Sequence, residues 1–83
     1  MTKYIQTKEE LGNRIRVIRE YRHRSQESMA KILKIDRATY IHYEMGKNEP
    51  KIMTLIQLAE ILEVNFLYFI IKERPLEDEF FKF

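Results

Sequence analysis

The side chains best suited to chemistry lie in one short run, Arg37-Ala38-Thr39-Tyr40-Ile41-His42. Read as a helix, the run turns Tyr40 inward and leaves Arg37, Ala38, Thr39, Ile41 and His42 facing out. These residue types match the donor, acceptor and methyl groups that base pairs display in the major groove. The planar fork of Arg37 can donate two hydrogen bonds to guanine. Thr39 can donate, accept or set a methyl against thymine. Ala38 is small enough to let a helix sink and can touch a thymine methyl. His42 lies one turn on, within reach of a base or a phosphate. Arg37, Ala38, Thr39 and His42 are therefore the expected base contacts. The competing reading is an ordinary polar face on a solvated helix.

A helix can read a groove only if something holds it there, and the preceding residues have that pattern. Met29, Ala30, Leu33, Ile35, Tyr40 and Tyr43 fall at inward positions of two short helices with almost no loop between them. Ala30 sits where the helices would cross most closely. The turn must form around Lys34 and Ile35, with Ile35 as a plug. Asp36 is a suitable N-cap for the second helix, its carboxylate accepting amides of the first turn. Two helices joined this tightly, with the front of the second exposed, describe a helix-turn-helix. Around them lie the expected phosphate contacts. Arg24, Ser25 and Gln26 stand at the start of the first of these helices, where backbone amides also point at an anion. Lys47, Asn48 and Lys51 stand in the loop after the second.

The stretch from Gly12 to Phe69 resembles the helix-turn-helix DNA-binding domain of the Cro and lambda-repressor type, the xenobiotic-response-element family. The matching residues are Gly12, Ile15 and Arg19, then Ser25-Gln26-Glu27, Met29-Ala30, Ile35 and Tyr40. The run Tyr43-Glu44-Met45-Gly46-Lys47 with Pro50 is similar to the family's E-x-G-K…P turn. Leu55, Leu58, Ala59, Leu62 and Val64-Asn65 complete the set. The resemblance implies an all-α, five-helix, lambda-repressor-like domain whose helix-turn-helix is formed by helices 2 and 3. It implies base reading by the outward residues of helix 3 and a phosphate contact for Gln26. It further implies an internal ion pair between Arg19 and Glu44, tying helix 1 to the end of the reading helix. The sequence departs from the family twice. His23-Arg24 stands where Gly-Leu is common, and Lys34 stands where a positive φ usually selects Gly.

Size and composition narrow the classes. Eighty-three residues form one small domain with little surplus stability, so oligomerisation would help. There is no cysteine, which excludes disulfides and thiolate metal sites. No run reaches the roughly 18 apolar residues of a membrane span, and no signal-peptide core follows Met1. The expectation is a cytoplasmic protein with no membrane association. The net charge of +2 is unevenly spread: residues 1–24 carry seven Lys or Arg against three Glu, and residues 52–83 carry three against six acidic residues. The basic end can face a polyanion while the acidic end faces away.

The expected organisation is an arm over residues 1–7, loose over residues 1–6, the DNA-binding domain over 8–72, and an aromatic and acidic tail over 73–83. Thr7 and Glu10 fit a capping box, so helix 1 begins near Lys8 and carries Leu11, Ile15 and Ile18 inward, with Val17 and Tyr21 widening the stripe. Helix 4 spans about Lys51 to Leu62, with Ile52 among its inward residues. Asn65 caps a fifth helix from Phe66 to about Lys72. That helix is apolar all round and must be covered on every side. A second copy of the chain is the expected cover, with Phe66, Leu67, Tyr68, Ile71, Phe80 and Phe81 at a dimer interface. A tail folded back on its own chain is the alternative.

These readings converge on a sequence-specific binder of double-stranded DNA, a homodimeric repressor reading a palindromic operator through Arg37 to Glu44. No cofactor, metal or small-molecule ligand is implied, and no catalytic residue. There is no H-E-x-x-H, no Gly-rich phosphate loop and no Cys nucleophile. One rival is a protein-interaction module, such as an antitoxin that binds a protein partner through helix 5 and the tail. The other is RNA binding, disfavoured because the reading face lacks an aromatic stacking platform.

Overall fold

The computed structural model describes residues 3–72. Four α-helices follow one another: α1 over Lys8–Tyr21, α2 over Gln26–Leu33, α3 over Arg37–Met45 and α4 over Ile52–Ile61. A short 3-10 helix, Phe66–Phe69, follows them. The starts of α1 and α2 can be traced to their caps. Thr7 Oγ1 accepts the Glu10 N–H at 3.1 Å, and Glu10 Oε1 reaches back to the Gln6 N–H at 3.1 Å. That backbone N–H holds the Glu10 carboxyl below its usual range. Ser25 Oγ accepts the Ser28 N–H at 3.0 Å and starts α2. Asp36 takes the N-cap backbone conformation of α3, yet its carboxylate makes no capping hydrogen bond, contrary to expectation.

All four helices end alike. The N–H of Arg24, Ile35, Lys47 and Val64 donates to the carbonyl five residues back, on Arg19, Ala30, His42 and Ala59, at 3.0–3.2 Å. That closing bond requires the preceding residue to be left-handed, a position that favours glycine. Only Gly46 supplies one, at φ 76°; His23, Lys34 and Glu63 adopt φ 57°, 59° and 54°. The sequence announced the first two, since they replace family glycines. Glu63 gave no such signal.

The core lies where the helical spacing placed it. Ile15, Ile18, Met29, Tyr40, Leu58, Leu62, Val64 and Phe69 are fully buried, and Ala30 is buried at the α2–α3 crossing. Ile35, Leu33 and Tyr43 pack against this cluster at its edge. Tyr21 and Ile52 differ: they stand 59% and 56% exposed.

The C-terminal end of the domain departs from expectation. The fifth α-helix is absent; the 3-10 turn stops at Phe69. The Ile70 and Ile71 N–H groups still donate to the Leu67 carbonyl, but the groups that would carry the turn further are engaged elsewhere. Arg14, buried on α1, donates Nη1 to the Tyr68 carbonyl at 2.6 Å and Nη2 to the Lys72 carbonyl. The Ile5 N–H donates to the Ile70 carbonyl and the Lys72 N–H to the Lys3 carbonyl, both at 2.7 Å. Residues 3–5 are thus not loose, because they pair with residues 70–72 in a one-rung antiparallel bridge. Tyr68 is buried within its own chain, its ring 5.4 Å from the Arg14 guanidinium, and this removes it from the expected dimer interface. Phe80 and Phe81, with the rest of the tail, lie outside the described residues.

Gly12 governs how closely α1 approaches α3. A Cβ built there would meet the Tyr43 carbonyl oxygen at 2.4 Å and that of Glu44 at 2.6 Å. Glycine inside a helix ordinarily costs about 1 kcal/mol against alanine. Gly12→Ala should nonetheless destabilise the domain, by about 1–3 kcal/mol in urea unfolding, because overpacking against backbone outweighs propensity. A variant more stable than the parent would show that the helices are not in this contact.

Candidate nucleic-acid interface

The surface of α3 divides as its sequence requires. Tyr40 and Glu44, one turn apart, are buried. On the other side Arg37 and Ala38 are exposed, and Thr39, Ile41 and His42 are half-buried. Among the described residues no polar contact ties the side chains of Arg37, Thr39 or His42 to the rest of the fold. Among the described residues, the front of the helix is solvent-exposed at Arg37 and Ala38 and partly so at Thr39, Ile41 and His42.

Its orientation is set from behind by one carboxylate. Arg19 grips Glu44 with two parallel donors, Nε to Oε2 at 2.6 Å and Nη2 to Oε1 at 3.1 Å. The Tyr40 hydroxyl donates to Oε2 at 2.5 Å. The Gln26 amide donates Nε2 to Oε1 at 3.0 Å. The Glu44 side chain is 2% exposed, so these donors replace the water it has lost. Burial, and then the bond to Glu44, push the Tyr40 phenol far above its usual range. The bond to Glu44 raises the Arg19 pKa as well. Arg19 also donates Nη1 to the Arg24 carbonyl at 2.8 Å, which fixes the link into α2.

The expected phosphate contacts flank this helix. Arg24 and Ser25 are exposed at the start of α2. Ser25 Oγ is occupied as an acceptor by its cap but keeps its own hydrogen to donate. Gln26 is partly diverted, because one of its amide hydrogens serves Glu44 and one remains for an anion. On the far side Lys47, Asn48 and Lys51 are exposed. The N–H groups of Lys47 and Asn48 both donate to the His42 carbonyl, at 3.0 and 3.3 Å. Lys8 Nζ reaches the Lys47 carbonyl at 3.3 Å from α1. The loop is thereby held in register with α3.

Three residues that position the site had no assigned role in the sequence. Gly12 permits the contact with the end of α3. Arg14 and Arg22 are cations spent on carbonyls, Arg22 donating to those of Leu62 and Glu63 at 2.8 and 2.7 Å. The available signal was Gly12 itself, since a helical glycine is costly unless something approaches closely. An arginine carries no such mark, because its charge reads as a solvated face.

Comparison with known proteins bears on the family and the fold. The family model described as Helix-turn-helix matches residues 15–69. The chain is 43% identical over 54 residues to the SPbeta prophage-derived uncharacterized HTH-type transcriptional regulator YonR of Bacillus subtilis, a match covering 65% of this chain and 50% of that protein. It is 38% identical over 58 residues to the uncharacterized HTH-type transcriptional regulator YqaE of the same organism, covering 66% and 50%. The chain therefore spans about half the length of the curated relatives it matches. Among solved structures, the restriction-modification controller protein C.AhdI from Aeromonas hydrophila superimposes with a TM-score of 0.69 over 75% of this chain and 94% of its own, at 24% identity. That likeness shows a shared fold.

Glu44→Ala should cost about 3–5 kcal/mol, since it leaves the Arg19 guanidinium buried without its partner. Thermal or denaturant unfolding measures this, and a loss below about 1 kcal/mol would mean that water already solvates the pair.

Proposed function

The chain belongs to the helix-turn-helix family of DNA-binding transcriptional regulators, and on that premise we propose that it reads a specific duplex sequence through the outer face of α3. The observation that carries the reading is the pairing of an open front, Arg37 to His42, with a back locked on Glu44. A helix so held presents its side chains in one fixed orientation, which direct readout requires. Arg37, Ala38, Thr39 and His42 meet base edges. Arg24, Ser25, Gln26, Lys47, Asn48 and Lys51 hold phosphates on either side. The relatives are named as transcriptional regulators, which favours this role over a toxin-neutralising module.

The same reading makes the protein a homodimeric repressor with a palindromic operator. Leu67 is 48% and Ile56 40% exposed, and Ile56 shares a shallow apolar groove with the half-buried Phe66. A twofold pair joined there sets two copies of α3 about 34 Å apart, one turn of DNA. With Tyr68 buried, this interface draws on α4 and the 3-10 turn rather than on a fifth helix.

Selection from a random duplex pool supplies the preferred site, and a palindromic consensus is expected. On that site Arg37→Ala should cost about 1–3 kcal/mol in a fluorescence anisotropy titration and leave affinity for random DNA nearly unchanged. Equal losses on both would confine Arg37 to phosphate. Lys47→Ala should weaken all sequences alike and reduce the salt slope by about one unit; an unchanged slope would remove it from the interface.

A further inference from the structure

The outer face of α3 carries more than polar groups. Ala38, Ile41 and Met45 follow one another at spacings of three and four, which sets them in single file along one side of the helix. Ala38 is exposed, and Met45 is 56% exposed. Ile41 is half-buried, yet among the described residues it belongs neither to the core cluster nor to the hydrophobics packed on it. Resting on α3 as the helix that reads duplex DNA, we propose that Ile41 is a specificity-determining residue, its side chain packing on the C5-methyl of a thymine in the major groove.

The choice of base follows from what the groove offers. Base pairs display hydrogen-bond donors and acceptors on its floor, and the thymine methyl is the apolar group among them. A branched hydrocarbon set against a donor or acceptor displaces water and returns no hydrogen bond, which is costly. Set against a methyl, it removes apolar surface from water on both partners. Ile41 therefore favours a pair containing thymine over a G·C pair. Its place on the helix locates that pair. Ile41 follows Arg37 by one turn on the same face. Ala38 and Ile41 lie about 4.5 Å apart along the axis, against roughly 3.4 Å for one base step. The thymine thus stands within one or two steps of the base that Arg37 bonds. A protein surface is the competing occupant, and the width of the stripe argues against it. Arg37 borders the file on one side, and His42 and Thr39 border it on the other. Three side chains in a row fall far short of the roughly 800 Å² per partner of a stable protein interface, and they are continuous with the polar groups that meet DNA.

Deoxyuridine in place of thymine removes the methyl and leaves base pairing unchanged. On the site selected from a random duplex pool, thymines replaced one at a time should include one whose loss weakens binding by the parent about fourfold, the worth of a buried methyl. In Ile41→Ala the same replacement should leave affinity nearly unchanged, and in Ile41→Val, which keeps the branch, most of the sensitivity should remain. Thermal unfolding confirms that both variants are folded. Sensitivity that persists in full in Ile41→Ala belongs to Ala38 or Thr39 and would overturn the proposal. A selected site that loses affinity with Arg37→Ala but is indifferent to every thymine methyl would overturn it too, while leaving α3 as the reading helix. Failure to select any sequence would overturn both. A changed mass in light scattering of Ile41→Ala, with base discrimination intact, would assign the stripe to a protein contact instead.

Discussion

The structure depends on a single buried carboxylate. Glu44 has left water and recovers its hydration from Arg19 on α1, Gln26 on α2 and Tyr40 on its own helix. A buried ion pair adds little net stability over a well-packed apolar substitute. What it adds here is geometry. Two parallel guanidinium bonds fix Glu44 in distance and in angle, and a helix pinned at its last turn cannot roll about its axis. A roll would change which of Arg37, Ala38, Thr39 and His42 points forward. The interaction behind α3 thus governs the chemistry offered in front of it.

The rest of the molecule supports that arrangement by spending polar groups locally. Gly12 lets α1 approach the carbonyls of Tyr43 and Glu44, which brings Arg19 within reach of its partner. Arg14 and Arg22 satisfy carbonyls at the 3-10 turn, at Lys72 and at the end of α4, where a small domain has few other donors to place. The left-handed conformations of His23, Lys34 and Glu63 each store backbone strain, of order 1 kcal/mol for a residue with a Cβ. Each is offset by the closing bond it allows, and by the abrupt helix ends that permit short connections between α1, α2 and α3.

Much of this was legible in the residues. The period of Leu11, Ile15 and Ile18, the cap at Thr7, the small Ala30 and the loop from Gly46 to Pro50 mark four helices close to their observed bounds. Local rules suffice there, because caps and periodicity depend on neighbours within a turn or two. The same rules misplaced the C-terminal end. Phe66 to Lys72 has the composition of a helix, but the carbonyls of Tyr68, Ile70 and Lys72 and the Lys72 N–H are taken by Arg14 and by residues 3–5, partners more than fifty positions away. Ile52 failed for a related reason: spacing tells which face a residue is on, not whether another element covers that face.

By itself the sequence determined the helices, the tight α2–α3 turn, the inward set and the identity of the forward residues on α3, since all of these follow from periodicity, capping and side-chain type. Only the tertiary structure decided that the Gln26 amide donates to Glu44, that Tyr68 is buried within one chain, that the last turn is 3-10 and that Ile52 is left uncovered among the described residues. Those outcomes depend on which distant donor reaches a carbonyl or carboxylate first, and on the space left once the helices have closed. No local pattern in the chain encodes either.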